Sequence, residues 1–397
     1  MKQRIYLSAP GLVCCAGRDR NELYESCLNG WQGGFVPRET AGRKFPVGQI
    51  SGDLPAVDVP QPCPPEYAGN TRIVRIIDAA LEQLAVAVEK ALSKYGPQRI
   101  GVCLGSCDNG SEASLMAHNA LMQNNSFPGD YSLRFQSASF PAEFVSGKFS
   151  LRGPVLTTAT ACASGASAII RGAELIQSGF CDAVIAGGAD IVSDTVFLGF
   201  LALEAVSDSL TNPFSKNRKG INFGEGAAFF LLDSDSISAV EFLGSGESAD
   251  AFHMTAPGPE GAGPVQAMKA ALSDAGIKSE QIDYVNLHGT GTNLNDKAEA
   301  LAMGEVFNAF SPPASSTKPI TGHTLGAAGA LEAAICWMAL TEQRGLPVHC
   351  WDGVRDEDIP FFNPVGGSAL TSVSICMSNN FAFGGCNASL ILGRKSP

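Results

Sequence analysis

The run Thr157-Thr158-Ala159-Thr160-Ala161-Cys162-Ala163-Ser164-Gly165 sets a reactive thiol among small residues, between a strand-like stretch and a helical one. It has a counterpart later in the chain. The stretch Thr158-Ala159-Thr160-Ala161-Cys162-Ala163-Ser164-Gly165-Ala166 compares with Ile320-Thr321-Gly322-His323-Thr324-Leu325-Gly326-Ala327-Ala328. Each has a strand, a turn of small residues bearing a reactive side chain, and an Ala-rich helix. This predicts a pseudo-duplication with a seam near Leu232-Asp233-Ser234-Asp235-Ser236. Residues 1–235 would form an N-terminal half with the cysteine, and residues 236–397 a C-terminal half with two histidines. No linker at the seam is long enough to separate independent domains.

Other apolar runs end in turns of small or polar residues. They include Arg99 to Ser106, Asp182 to Gly188, Asp283 to Gly289 and Ser372 to Asn379. Continuous apolar strands suit a sheet covered on both faces. Helical patterns lie between them, in an amphipathic stretch within Asn70 to Tyr95, in Ser164 to Ser178 and in Leu325 to Leu340. The alternation argues for an α/β architecture in layers. A polar and aromatic segment from Asn109 to Phe140 reads as an insertion.

Composition narrows the function. The chain has 397 residues, 45% hydrophobic and 17% charged, which permits a large core and argues against disorder. A net charge of -12 without a basic run argues against nucleic-acid binding. The 12 cysteines show neither CxxC pairs nor zinc spacing, and most sit in apolar runs, so reduced thiols and a cytoplasmic setting are expected. No membrane span is expected, since no apolar run is long enough. The positive N-terminus is broken by Pro10 and Gly11 and reads as a first strand, not a signal peptide.

The chemistry gathers around Cys162. A thiol at a helix N-terminus feels the positive end of the macrodipole, which is expected to lower its pKa. Of the five histidines, His288 and His323 stand in Gly/Thr turns at strand ends. A cysteine elbow with two such histidines points to nucleophilic catalysis. Lys318 precedes His323 and reads either as a site cation or as a solvated lysine. Asp296 and Glu299 follow His288 and serve either to orient the site or to start a helix. Phe383-Gly384-Gly385 suits a tight loop whose N–H groups face an oxyanion.

In this order, these motifs resemble those of the β-ketoacyl-acyl carrier protein synthases, elongating condensing enzymes of the thiolase-like superfamily. The resemblance covers essentially the whole chain. It rests on the Cys162 elbow, Cys181 to Gly188, Pro213-Phe214 through Gly224-Glu225-Gly226, Phe252 to Pro257, Asn286 to Thr290, Lys318 to Gly329 and Asn380 to Asn387. It implies a thiolase-like fold, two similar halves forming a five-layered αβαβα core, normally dimeric. It implies a Cys162–His288–His323 site that carries an acyl group on Cys162 and decarboxylates a malonyl thioester. The oxyanion hole would come from the N–H groups of Cys162 and Phe383, with Phe383 and Phe381 gating. Lys318 and Glu332 would form the charged pair beside His323, with Asp296, Glu299, Thr290 and Thr292 in support. Cys107 and Asp108 would lie beside the acyl pocket. An acyl carrier protein would be the partner, in a homodimer or in a heterodimer with a second ketosynthase-like subunit. Neither a metal nor another cofactor is implied.

Some positions depart from the housekeeping pattern. Lys219 stands where an acidic residue is usual, and Gly220-Ile221-Asn222 resembles specialised synthases such as those of aryl-polyene or polyketide type. Asp108 would be an unusual charge beside a saturated chain. Cys386 replaces a threonine. Arg72, Arg75, Lys216, Arg218 and Lys219 are candidates for carrier docking. The alternative reading is a non-catalytic subunit resembling a chain-length factor. Such a subunit usually lacks the nucleophile, so Cys162 argues for the enzyme.

Overall fold

The computed structural model describes residues 3–57, 71–108, 110–129, 131–235, 238–308, 310–367 and 372–395. Asn70, Asn109 and Ser236, which bounded three of the expected segments, lie outside the described residues, as do Met1 and Pro397.

The first strand set runs β1 (Ile5–Leu7), β2 (Gly11–Cys14), α1 (Arg20–Asn29), a hairpin β3 (Phe35–Thr40) and β4 (Arg43–Gly48), α2 (Arg72–Glu82), α3 (Ala85–Tyr95) and β5 (Ile100–Gly105). It continues with α4 (Ser111–Asn124), α5 (Phe140–Lys148), β6 (Val155–Thr158), α6 (Ser164–Gln177), β7 (Ala183–Asp190), α7 (Asp194–Ala202) and β8 (Gly226–Asp233). The second comprises β9 (Val240–Ala249), α8 (Ala262–Ala275), β10 (Tyr284–Asn286), α9 (Asn293–Phe307), β11 (Pro313–Ser315), α10 (Lys318–Thr321), α11 (Ala328–Glu342), β12 (Asn363–Pro364), β13 (Ile375–Phe381) and β14 (Cys386–Arg394).

The strand orders repeat. In the first set β5 is parallel to β6 and β7, β7 is antiparallel to β8, and β8 to β1. In the second, β10 is parallel to β11 and β13, β13 is antiparallel to β14, and β14 to β9. Strands β1 and β9 pair, so the two sets join edge to edge in one path. Every residue of β5 and β7 is buried, as a strand covered on both faces requires.

Three packed layers of helix cover these strands. Helices α6 and α11 share the central core with the inner faces of both strand sets. Helices α2, α3 and α5 cover the first set, and α8 and α9 cover the second. The result is the five-layered αβαβα thiolase-like arrangement. The amphipathic stretch before Tyr95 forms two helices, parted at Gln83 and Leu84. Among the described residues one helical stretch, Leu325–Glu342, is long and apolar enough to cross a membrane, but it is 89% buried in the core.

The duplication is sharpest at the central helices. Each begins after a single tight helical turn, Ala161–Ala163 before α6 and Leu325–Ala327 before α11. Each turn opens on a left-handed non-glycine residue, Ala161 at φ 48 and Leu325 at φ 52. Such a backbone costs of order 1–3 kcal/mol and persists only where surrounding packing fixes it. The two helices cross at backbone contact. A Cβ on Gly165 would stand 2.8 Å from Gly326 O and 2.9 Å from Ala330 N, and one on Gly329 would stand 2.6 Å from Ala166 N.

Gly165→Val should therefore destabilise the protein by about 3 kcal/mol, because backbone atoms cannot give way as side chains do. Gly199→Ala, on an open face of α7, should be neutral or slightly stabilising. Urea unfolding of both variants checks the contrast.

Candidate active site

Residues from both strand sets meet at the N-termini of the central helices. His323 Nε2 lies 3.0 Å from Cys162 Sγ. The His288 and His323 rings stand edge to face with centroids 5.3 Å apart. All three side chains are buried, with Cys162 5% and each histidine 1% exposed.

Backbone contacts fix the two histidines. His323 N–H donates to Asn222 O (2.8 Å) and Gly224 N–H to His323 O (3.0 Å). The run from Ile221 to Gly224 thus clamps His323 from behind. Glu299 accepts the N–H groups of His288 and Gly289, both at 2.7 Å. Asp296 accepts those of Phe214 (2.7 Å) and Gly291 (3.2 Å). Both acids lie on α9 and hold the His288 turn without entering the cluster. Burial pushes Glu299 up to about 8 and Asp296 up to about 6, against the N–H groups that favour their charged forms.

The neighbours also fix the tautomers. Leu325 N–H donates to His323 Nδ1 (3.3 Å), and Lys318 Nζ lies 3.4 Å from His288 Nδ1. Both Nδ1 atoms face donors, so each neutral ring carries its proton on Nε2. Burial first, and then the Lys318 ammonium, hold both imidazoles well below the ordinary histidine pKa. Two uncharged N–H donors therefore belong to the chamber beside the thiol. Lys318 is 1% exposed and bonds Glu332, itself pushed up to about 7 by burial. The solvated-lysine reading of Lys318 fails.

The expected acidic thiol is not found. Burial pushes Cys162 up to about 11, although Lys318 and the N–H groups of Phe383 and Cys162 itself pull it down. Desolvation outweighs the helix terminus because the sulfur is enclosed on all sides. The sulfur and the two histidine nitrogens lie within 4.8 Å of one another, the span of a metal site. The proton pattern argues against that use. A metal-bound imidazole donates its other N–H to an acceptor, whereas both Nδ1 atoms here face donors.

Cys162 sits in a narrow chamber of about 20 Å³ with Thr290, Thr292, Asn295, Phe200, Phe381 and Phe383 among its walls. The Phe383 ring stacks on Phe200 at 5.1 Å and closes it. Beyond lies an open funnel of about 310 Å³.

Comparison with known proteins agrees with this arrangement. Residues 13–237 match the family model for the N-terminal domain of β-ketoacyl synthases, and residues 239–349 match that for the C-terminal domain. The chain belongs to the β-ketoacyl synthase family. It is therefore a condensing enzyme of the acyltransferase class. The synthase is 36% identical over 422 residues to the 3-oxoacyl-[acyl-carrier-protein] synthase 2 of Vibrio cholerae, covering 99% of each chain. It is 32% identical to nodulation protein E of Rhizobium meliloti, covering 98% of this chain and 99% of that one. Among solved structures it resembles a chain of the complex of the ketosynthase ApeO with its chain length factor ApeC from Xenorhabdus doucetiae, at 38% identity and a TM-score of 0.92. That match covers 99% of this chain and 98% of the other.

Several residues stand otherwise than the sequence suggested. Phe381 is a buried wall at the end of β13, 6.3 Å from the His288 ring; Phe383 alone of the pair stacks across the chamber. Asp108 is not an unpaired charge. The Ser111 hydroxyl donates to its Oδ1 (3.4 Å), and the nearby N–H groups of Gly110 and Ser111 favour its charged form, though burial still raises its pKa. Two docking candidates are engaged elsewhere: Arg72 forks onto Glu225, and Arg218 is 9% exposed and bonded to Asp356. Lys216 and Lys219 remain exposed.

The sequence reading missed Asp190, which is fully buried at the end of β7. It accepts the N–H groups of Cys107 (2.9 Å), Asp108 (2.8 Å) and Gly326, and so ties the Cys107 turn of one strand set to the α11 turn of the other. An acid closing the apolar run Ala183 to Asp190 was the available signal. Thr290 and Thr292 share a hydrogen bond of 3.0 Å on the chamber wall.

A thiol near 11 predicts that alkylation of Cys162 by iodoacetamide accelerates steadily between about pH 7 and about pH 9, since only the thiolate reacts. Lys318→Met, which removes the cation favouring thiolate, should slow alkylation throughout. A plateau below about pH 8 would show a preformed thiolate instead.

Proposed function

We propose that the protein is a 3-oxoacyl-[acyl-carrier-protein] synthase whose catalytic residues are Cys162, His288 and His323. The observation that carries this reading is the pair of neutral Nε2–H donors, fixed by donors at both Nδ1 atoms, on the same side as the thiol.

Cys162 Sγ attacks the acyl thioester of a carrier protein. The carrier thiol leaves with the proton, and the acyl group remains as a thioester on Cys162. A malonyl thioester then enters, and its carbonyl oxygen accepts hydrogen bonds from His288 and His323. Loss of carbon dioxide leaves the electron pair of the broken carbon–carbon bond as an enolate, whose oxygen those donors stabilise. The enolate carbon attacks the Cys162 thioester. The tetrahedral oxyanion takes the N–H groups of Cys162 and Phe383, which favour negative charge on Sγ in the free enzyme. Collapse expels the Cys162 thiolate, which takes a proton from solvent to restore the thiol, and yields the 3-oxoacyl product on the second carrier.

The remaining residues keep the donors in place. Lys318, held by Glu332, blocks protonation of His288 at Nδ1, so the ring works as a donor and not as a base. Glu299 and Asp296 hold the His288 turn. Thr290 and Thr292 line the approach. A chamber of about 20 Å³ has no room for an acyl chain, so loading requires the Phe383 ring to leave Phe200. Cys107 and Asp108 form the turn beside the acyl pocket. The halves 1–235 and 236–397 supply the nucleophile and the histidines respectively.

The partner is an acyl carrier protein. The working assembly is a dimer, and its second subunit is either another copy or a ketosynthase-like chain. Likeness to chains from two ketosynthase and chain length factor complexes, at 38% and 26% identity, supports the two-chain form. The exposed apolar residues Val155 and Leu156 on the terminal strand β6 suit such pairing. The pathway is fatty-acid synthesis or polyene or polyketide chain building, in the cytoplasm.

Incubation with acyl-carrier thioesters should leave an acyl adduct on Cys162, seen by mass spectrometry and lost in Cys162→Ala. No adduct with saturated or polyene donors, with any co-encoded subunit present, overturns the reading. Cys162→Gln should still release carbon dioxide from malonyl carrier protein, whereas His323→Ala should not.

A further inference from the structure

Lys219 is the departure from the housekeeping pattern that the catalytic cluster leaves unexplained. It stands on the wall of the funnel of about 310 Å³ together with His253, Thr255, Leu203, Glu204 and Leu294. The funnel shares Pro257, Thr292, Asn295 and Phe383 with the Cys162 chamber, so the two spaces are consecutive stretches of one passage.

The chain is pinned at the residue after the lysine, whose side chain is exposed. Gly220 N–H donates to Gly291 O (2.9 Å), and Thr211 Oγ1 donates to Gly220 O (2.8 Å), which pins the segment beside the His288 turn. The neighbouring Arg218 turns inward to Asp356. Asp208 feels the Lys219 charge but is bonded by Arg43 at 2.8 Å. Lys219 thus offers an exposed ammonium to the funnel. His253 Nδ1 accepts Thr255 N–H (3.2 Å), which leaves its Nε2–H for another partner. Glu204 is the acid on the same wall. In a chain of net charge -12, a cation here sets the local field that an entering anion meets.

We propose that Lys219 is the phosphate-binding residue of this passage and holds the phosphodiester of the carrier's phosphopantetheine arm, with His253 and Thr255 as further donors. This rests on the carrier-thioester reading above. A thioester at Cys162 must be delivered by an arm that fills the passage, and the arm's phosphate, its one anionic group, stands at its outer end. An ammonium is a compact point charge suited to phosphate.

The test compares 4′-phosphopantetheine with pantetheine, which lacks the phosphate. Calorimetry on the whole protein needs no turnover, so it stands even if Cys162 takes no acyl group. The native protein should bind the phosphorylated arm about tenfold more tightly, the size of one charge-assisted hydrogen bond. Lys219→Glu should abolish that preference and Lys219→Arg should restore it. With acyl-carrier substrate, Lys219→Glu should raise KM and affect kcat far less. Equal binding of the two arms by the native protein overturns the proposal. So does an equal loss for both arms in Lys219→Glu. A rise in KM for the carrier with unchanged binding of the free arm also overturns it, and assigns Lys219 to the carrier's own acidic surface.

Discussion

The backbone contact between α6 and α11 is the constraint on which the rest depends. Gly165 meets the start of α11, and Gly329 meets the start of α6, in matched positions of the two halves. Only at this separation do both helix starts face one chamber. The left-handed turns at Ala161 and Leu325 then direct Cys162 and His323 toward each other across 161 residues of chain. Strained backbone here is stabilised by packing on both sides, the circumstance in which such strain persists.

Enclosure has an electrostatic price. Desolvation raises the thiol and depresses both imidazoles, so the resting cluster is neutral apart from Lys318 and Glu332. That suits a reaction whose demanding charge is an enolate oxygen: fixed N–H dipoles in a dry chamber stabilise it without reorganising. The thiol bears the cost, being harder to ionise than an exposed cysteine. Lys318 offsets part of this, and it also fixes the His288 tautomer. One buried cation thus acts on the nucleophile and on a donor together.

Much of this was legible in residue order. The Cys162 elbow, the two histidine turns and the Lys318 run announced a catalytic cluster, and the likeness of two stretches announced a repeated fold. What escaped were partnerships between distant segments. Asp190 lies two residues past the apolar run that ended at Gly188 and drew no reading, yet it joins the Cys107 turn to Gly326. Arg72 and Arg218 looked like surface charges, yet each is taken by an acid more than 130 residues away. Asp108 looked like an unpaired charge because the backbone N–H groups beside it carry no side-chain signal.

By itself, then, the sequence determined which groups could react and that two halves of one design would carry them. Side-chain chemistry and local periodicity are properties of short stretches, so they can be read there. Only the tertiary structure decided which proton each histidine holds, how far burial lifts the Cys162 thiol, and which basic residues stay free for a partner. Those properties depend on what lies within a few ångströms in space, and that is set by the meeting of two helices far apart in the chain.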